Sequence, residues 1–379
     1  MSFLALGTAA LLAVSACSSS SSDTKGTGSG GGTTATSAAD VSKYLGPITS
    51  YAAPGPPVDA TSLRGKKVFY VPINYSVPLF HAEEGALAQA LSKVGMTVVP
   101  CDGAANPSTI AQCLSTAADQ GASAVVLSDI LPTLVPDAIS ELTQKHIPVV
   151  VSYAPSSVPP STKEVSYVIG TPQTNIIAQG RIVADWIAGN AKGNAKVMMI
   201  DIKASQSYHQ ELTQGLEPEM KKKCPKCQVF DDSVTTTDIN AASALVSSTL
   251  IADPDINYIV ATDSNLLGIS QGLQQAGDTG KVKIVFTTGQ LAGLQALKAG
   301  TVAADLGEDT YYQGWADADQ VVRVTLGKDP VQAYPLSIRL FTKDNIGELT
   351  LSQQASLSNS WYGPTNFESL FTKNWGVGG

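Results

Sequence analysis

From Lys66 onward the chain alternates two kinds of hydrophobic pattern. Continuous apolar runs recur at "KVFYVPI" (67–73), "MTVVPC" (96–101), "SAVVLSD" (123–129), "IPVVVSY" (147–153) and "VSYVIG" (165–170). They return at "AKVMMIDI" (195–202), "CQVFDD" (227–232), "INYIVATD" (256–263), "VKIVFTTG" (282–289) and "VAADLGED" (302–309). Most are unbroken rather than alternating, as in strands covered on both faces. Between them lie segments with helical spacing: 79–95 with a Gly stop, 106–121 with Ser108 as N-cap, 174–190, 207–223, 239–254, 265–277 and 311–328. The 207–223 segment ends in lysines, where the helix dipole favours cations. Strands alternating with helices specify parallel, doubly wound sheets, and these ten runs divide better over two sheets than one. The predicted fold class is α/β with two Rossmann-like lobes.

The pattern ahead of residue 66 differs. Phe3 to Val14 carries no charge and is too short to span a bilayer, which needs about 20 residues. It fits the apolar core of a signal peptide (1–16), although no Lys or Arg precedes it. "VSAC" (14–17) resembles the lipobox of bacterial lipoproteins, which implies cleavage before Cys17 and lipid on that cysteine. Acyl chains there would hold the protein on the outer face of the cell membrane. Residues 18–39 are mostly Ser, Gly and Thr, and 46–65 is Pro-rich, so 17–65 is expected to be an anchored, flexible linker.

Composition narrows the function. The remaining chain of about 360 residues exceeds one ordinary core. With 43% hydrophobic and 15% charged residues it has the balance of a globule. A net charge of −8, with no basic cluster beyond Lys221–Lys223, argues against nucleic acid as a partner. Four cysteines follow Cys17, an even number in an exported chain. The expected pairs are Cys101–Cys113 and Cys224–Cys227; the latter CxxC could alternatively be a redox motif or half a zinc site, but no second CxxC or nearby His completes one. No metal or other cofactor is expected. The three histidines, His81, His146 and His209, are widely spaced, and HExxH, GxSxG and GxxxxGK[ST] are missing, so no catalytic residue is assigned.

In doubly wound sheets, ligands bind beyond the carboxyl ends of the strands. The residues there are Asn74, Tyr75, Leu79-Phe80, Ser128-Asp129, Tyr153, Gln206 through Gln210, Thr262, Asp263, Asn265, Thr288-Gly289-Gln290, Glu308 and Tyr311-Tyr312. They are amides, hydroxyls, carboxyls and aromatics without Lys or Arg, suiting a neutral polar ligand with an apolar face. Asp263 has two readings, ligand contact or cap of the next helix. Tyr311 and Tyr312 cannot both point inward. The aromatic "WYGPTNFESLFTKNW" tail (361–375) is expected to clamp the carboxyl end onto a lobe.

Over residues 66–345 the chain resembles a type I periplasmic binding protein of the ribose/xylose/galactose-binding family. "SNLLGISQGLQQAG" after "IVATD" resembles the family's fifth strand and helix. "GQLAGLQALKAGTVAADLGED" resembles its run from the loop Asp to the second crossover, and "FTKDN" (341–345) its closing strand. The resemblance implies two lobes joined by three crossovers near 169–172, 305–309 and 334–337, with hinge closure on a solute. The lobes would be 66–169 plus 309–334 and 170–308 plus 335–345, with 346–379 as a tail packing on them.

It also implies site positions. The family's first aromatic falls at Leu79 or Phe80, its Asp-Arg becomes Tyr153-Ala154, and its helix arginine falls near Gln210. Its Asn-Asp becomes Thr262-Asp263, its later Asp becomes Thr288, and its crossover Gln becomes Glu308. Most charged sugar-clamping groups are therefore replaced, which shifts the expectation toward a polyol, deoxy-sugar or aromatic-bearing solute. The expected role is that of a monomeric binding lipoprotein delivering a carbohydrate or polyol-like solute to the transmembrane permease subunits of an ABC importer. The alternative is a sensory lipoprotein of the same fold that signals to a receptor kinase.

Overall fold

The computed structural model describes residues 41–202, 206–234, 239–358 and 360–378. Cys17 and the expected signal segment therefore lie outside the described residues. Strands β1 (Lys67–Pro72), β2 (Thr97–Pro100), β3 (Ala124–Ser128), β4 (Val149–Ser152) and β5 (Val165–Tyr167) form one parallel sheet in the order β2-β1-β3-β4-β5. The β3 run AVVLS is buried throughout, which is why its pattern does not alternate. Helices α1 (Pro78–Ser92), α2 (Pro107–Asp119) and α3 (Pro136–Gln144) each begin with proline, whose missing N–H is no loss in a first turn. The cap of α2 is Asn106 rather than Ser108. Pro107 presets the first helical residue, and Asn106 Oδ1 accepts from Ser108 N at 2.9 Å and Thr109 N at 3.3 Å.

The second sheet holds β6 (Lys196–Ile202), β7 (Gln228–Val234), β8 (Tyr258–Ala261), β9 (Lys283–Phe286), β10 (Ala304–Glu308) and β11 (Ile338–Thr342). Its order is β11-β10-β9-β8-β6-β7, with only β11 antiparallel to its neighbour. Around it lie α4 (Ile176–Ala191), α5 (Gln206–Lys223), α6 (Ile239–Ala252), α7 (Leu266–Ala276) and α8 (Leu291–Lys298). The α/β architecture with two parallel-sheet lobes is as the alternating pattern predicts. Separate apolar clusters cover the two faces of the second sheet, while one cluster serves the first lobe.

The chain passes between the lobes where strands end. Gly170 bridges to Tyr334, Thr171 N donates to Tyr334 O at 3.1 Å, and Asp309 N donates to Ser337 O at 2.8 Å. Helix α9 (Thr310–Thr325) then lies in the first lobe against α1, buried from Thr310 to Val324. Burying its polar side chains requires partners. Asp319 supplies them, accepting from Arg323 Nε (2.7 Å), Tyr334 Oη (2.9 Å) and Trp375 Nε1 (2.7 Å).

The linker expected to run to residue 65 is shorter. Val41 and Leu45 pack on the second lobe, whereas Tyr51, Ala60 and Leu63 pack on the first. Proline and glycine leave this segment without helix or strand, yet its apolar side chains find cores to enter. The carboxyl tail makes the same passage: Trp361 and Tyr362 enter the second lobe, and helix α10 (Phe367–Asn374) and Trp375 enter the first. Lead-in and tail hold one another through Ile48 N to Tyr362 O, Val58 N to Asn374 O and Ala60 N to Trp375 O. Tyr312 belongs to this packing, not to the ligand cleft. It is fully buried, stacks on Tyr51 at 5.5 Å and meets Phe367 edge-on at 5.0 Å. That face of α9 is turned toward the lead-in and tail.

Both cysteine pairs are bonded: Cys101–Cys113 joins the chain after β2 to α2, and Cys224–Cys227 closes the turn after α5. Among the described residues no helix is long and apolar enough to cross a membrane.

Candidate ligand cleft

Loops from the carboxyl ends of both sheets meet across the gap between the lobes. On the first lobe, Asp129 follows β3 and Tyr153 follows β4 with φ of 57° and 51°. Non-glycine residues rarely occupy this left-handed region, and such backbone cost clusters at functional sites. Tyr153 Oη donates to Thr310 Oγ1 at 3.3 Å, bringing α9 to the same place. Asn74 forms a local turn, its Oδ1 accepting from Ser76 N and Oγ at 3.0 and 2.7 Å. Tyr75 is committed to its own lobe, with Oη 3.1 Å from Glu84 Oε2 and its ring 4.0 Å from His81. Phe80 sits in the first-lobe core at 4% exposure, and its carbonyl accepts from Tyr70 Oη at 3.1 Å.

Beneath these loops lies a polar network that the sequence pattern did not single out. Glu83 Oε2 accepts from Tyr70 Oη at 2.8 Å and Ser128 Oγ at 2.6 Å. Asp317 accepts from Ser152 Oγ at 3.0 Å and Gln313 Nε2 at 3.1 Å. Burial raises both carboxyls, and their mutual proximity adds to this for Asp317. The usable signal was an acid on the apolar face of α1, three residues after Phe80, but its partner lies far along the chain on α9.

On the second lobe, Asp263 and Asn265 form a short helical turn before α7, and both are buried. Asp263 Oδ2 accepts from Gln290 N at 2.6 Å, its N donates to Thr288 Oγ1 at 3.2 Å, and Asp305 Oδ1 accepts from Gly289 N at 2.9 Å. Two carboxyls thus hold the 288–290 loop, and burial raises both. The cap reading of Asp263 has a concrete form here: it braces the amino end of α8 rather than that of its own helix. Asn265 Nδ2 reaches Thr262 Oγ1 at 3.3 Å, and Gln290 Nε2 donates to Thr288 O at 3.1 Å.

Glu308 ends β10 where the chain leaves the lobe. Its Oε2 accepts from Gln179 Nε2 of α4 at 2.9 Å, while Oε1 is shielded from solvent with no hydrogen-bond partner. Burial pushes its titration up to about 8, so at neutral pH the group is largely protonated. Its charge, when present, acts on Tyr153 of the first lobe and Tyr208 of the second. Tyr208 Oη donates to Thr287 O at 2.8 Å. Gln210 is exposed, and His209 Nε2 lies 2.8 Å from Asp231 Oδ1. The side chain of Gln206 lies outside the described residues. The structure therefore brings Tyr153, Tyr208, Thr262, Asp263, Thr288, Gln290 and Glu308 to the lobe-facing strand ends, and adds Gln179. Gln179 comes from inside a helix, where strand-end reasoning does not look.

Comparison with known proteins agrees with this geometry. The chain is 23% identical to the ribose import binding protein RbsB of Salmonella typhimurium over 302 residues, covering 79% of this chain and 99% of that protein. The 5-methylthioribose transporter solute binding protein of Thermotoga lettingae, solved with 5-methylthioribose, superposes with a TM-score of 0.68 at 14% identity, covering 82% and 99% of the two chains. An ABC transporter solute binding protein of Agrobacterium vitis with bound allitol gives 0.66 at 18% identity, covering 76% and 98%. The periplasmic binding protein domain matches residues 68–329. With two parallel-sheet lobes, crossings at the strand ends and a match over most of its length, the chain belongs to the periplasmic binding proteins and has their type I fold.

Proposed function

We propose that this chain captures a neutral polyhydroxy solute, a sugar or sugar-like polyol, between its lobes and delivers it to an ABC permease. The observation that carries this reading is Glu308. One of its oxygens is held by Gln179 and the other is buried without a partner, and its charge, when present, reaches Tyr153 and Tyr208. A protonated carboxyl there offers one donor and spare acceptor capacity, which matches a ligand hydroxyl. Tyrosines beside it supply apolar faces for the carbons of a sugar. The named ligands of similar proteins, ribose, allitol and 5-methylthioribose, are of this class. The sequence around Cys17 supports a lipid anchor that keeps the protein at the outer face of the membrane, within reach of a permease.

A thermal-shift screen tests the reading with ribose, allitol, 5-methylthioribose and other pentoses and polyols, against charged amino acids as controls. A solute bound only by the native state raises Tm by mass action, about 2.7 kcal/mol of stabilisation at a hundredfold excess over Kd. Tyr153→Ala should remove the shift. No shift with any neutral solute, or a shift only with charged ones, overturns the proposal.

A further inference from the structure

The geometry points to a latch outside the ligand-lining residues: we propose that Glu211 of α5 holds the lobes closed by gripping Ser156 and Ser157, and so sets how long a solute stays enclosed. The inference rests on the reading that the lobes close on a solute, but its contacts are independent of any ligand. Ser156 N donates to Glu211 Oε2 at 2.8 Å, Ser156 Oγ donates to Oε1 at 2.7 Å, and Ser157 N donates to Oε1 at 3.0 Å. The serines lie in the loop between β4 and β5 of the first lobe, and Glu211 lies on the second.

Each end of the latch is fixed to its own lobe. Ala154 and Val158, on either side of the serines, pack on the first-lobe core. Leu212 and Leu216 anchor α5 in the second-lobe core. Gly180 and Gly215 bring α4 and α5 so close that a methyl on Gly215 would fall 2.0 Å from the Ile177 carbonyl oxygen. Neither end can follow the other when the lobes part, so opening must break all three bonds together.

Glu211 is 2% exposed, and both of its oxygens are occupied by the serines. That sets it apart from Glu308, which keeps an unpartnered oxygen. A carboxylate that is buried only when the lobes meet, and satisfied only by the opposite lobe, stabilises the closed arrangement specifically. Its bonds are charge-assisted and share one rigid acceptor. Opening returns these groups to water, so the net effect is modest, about 10- to 100-fold in the closed-to-open ratio.

Hydrogen exchange of the full chain, with and without Glu211→Ala, reads the latch directly because two of its donors are backbone amides. Peptides spanning 153–164 should exchange about tenfold faster or more in the variant, and β4 peptides should not change. Glu211→Gln keeps the length and one acceptor oxygen and should fall between the two. Ser156→Ala combined with Glu211→Ala should cost less than the sum of the single changes. The affinity for whichever neutral solute shifts the wild-type Tm should weaken by the same factor, with the Tm of the solute-free variant near the wild-type value. Unchanged exchange of the serine loop overturns the latch. Faster exchange with unchanged affinity also overturns it, because closure would then not govern retention. If no neutral solute binds the wild type, the solute reading fails and the exchange measurement alone decides the latch.

Discussion

Glu308→Gln should make the protein more stable in alkali than the wild type. The carboxyl ordinarily titrates at 4.5 and is pushed up to about 8, first by burial and then by the charges of Asp309 and Glu83, against the opposing bond from Gln179. A group whose folded pKa is raised contributes its full stability below the unfolded value, near 4.5, and loses it as the pH climbs through about 8. The displacement corresponds to at most about 5 kcal/mol. Relaxation of the cleft around the charged form and admission of water reduce this to about 2–3 kcal/mol. Glutamine has the same shape, its Oε1 can keep the bond from Gln179, and it does not ionise. Urea denaturation of both proteins at about pH 5 and about pH 8.5 measures the difference. At the lower pH they should agree within about 1 kcal/mol, and at the higher pH the variant should lead by about 2 kcal/mol. Asp263 and Asp305 remain in both and leave a shared downward slope. Identical slopes in the two proteins would show that Glu308 ionises freely, and the account of a neutral donor in the cleft would fall with it.

The other predictions concern the scaffold. A methyl on Gly307 would lie 1.9 Å from Tyr362 Oη and 2.7 Å from Gly289 Cα, so Gly307→Ala should cost about 3 kcal/mol and lower Tm by about 4 °C in calorimetry. Trp375→Ala removes a fully buried ring stacked on Trp315 and strips Asp319 of a donor; about 4–6 kcal/mol should be lost in urea, with the tail becoming protease-sensitive. Replacing Cys101 and Cys113 by serine opens a loop spanning 12 positions and should cost about 3 kcal/mol, roughly 1 kcal/mol more than the same change at Cys224 and Cys227, which span 3. Each is refuted by a denaturation midpoint within error of the wild type.

The lobes were legible because burying a parallel sheet on both faces leaves an unbroken apolar run, and β3 and β4 are little else. The strand-end rule then named Tyr153, Asp263 and Glu308 as candidates without any contact information, and the structure sets all three at strand ends. It failed where the deciding partner is remote. Glu83 and Asp317 satisfy each other's surroundings from α1 and α9; the apolar face around Glu83 was a local hint, but nothing local marks Asp317 or joins the two. Gln179 sits in the first turn of α4, and only the packing of that helix brings it to the strand ends. Tyr312 went the other way. Its sequence neighbourhood, just after β10, suggests the cleft, but an aromatic set drawn from Tyr51, Phe367 and Phe371 claims it.

That same aromatic set changes what lobe motion must involve. Besides the three crossings joined to the sheets, the lead-in passes between lobes around 46–50 and the tail around 363–366, tied together by Ile48 N to Tyr362 O. Arg339 of β11 fastens both strands of this belt, donating to the carbonyls of Leu45 and Trp361. Tyr51 of the belt senses Asp309 and Ser337, both at the crossings themselves. A rotation of one lobe on the other must therefore bend five chain segments, not three. The two added passages are built for bending: Gly46 and Pro47 in one and Gly363 and Pro364 in the other form no helix or strand. Their flanks are held by half-buried Tyr44 and Tyr51 in the lead-in and by buried Tyr362 and Phe367 in the tail. The belt thus adds apolar burial to both lobes while keeping its irregular backbone at the level of the crossings, which would let a long extension coexist with the closure proposed above.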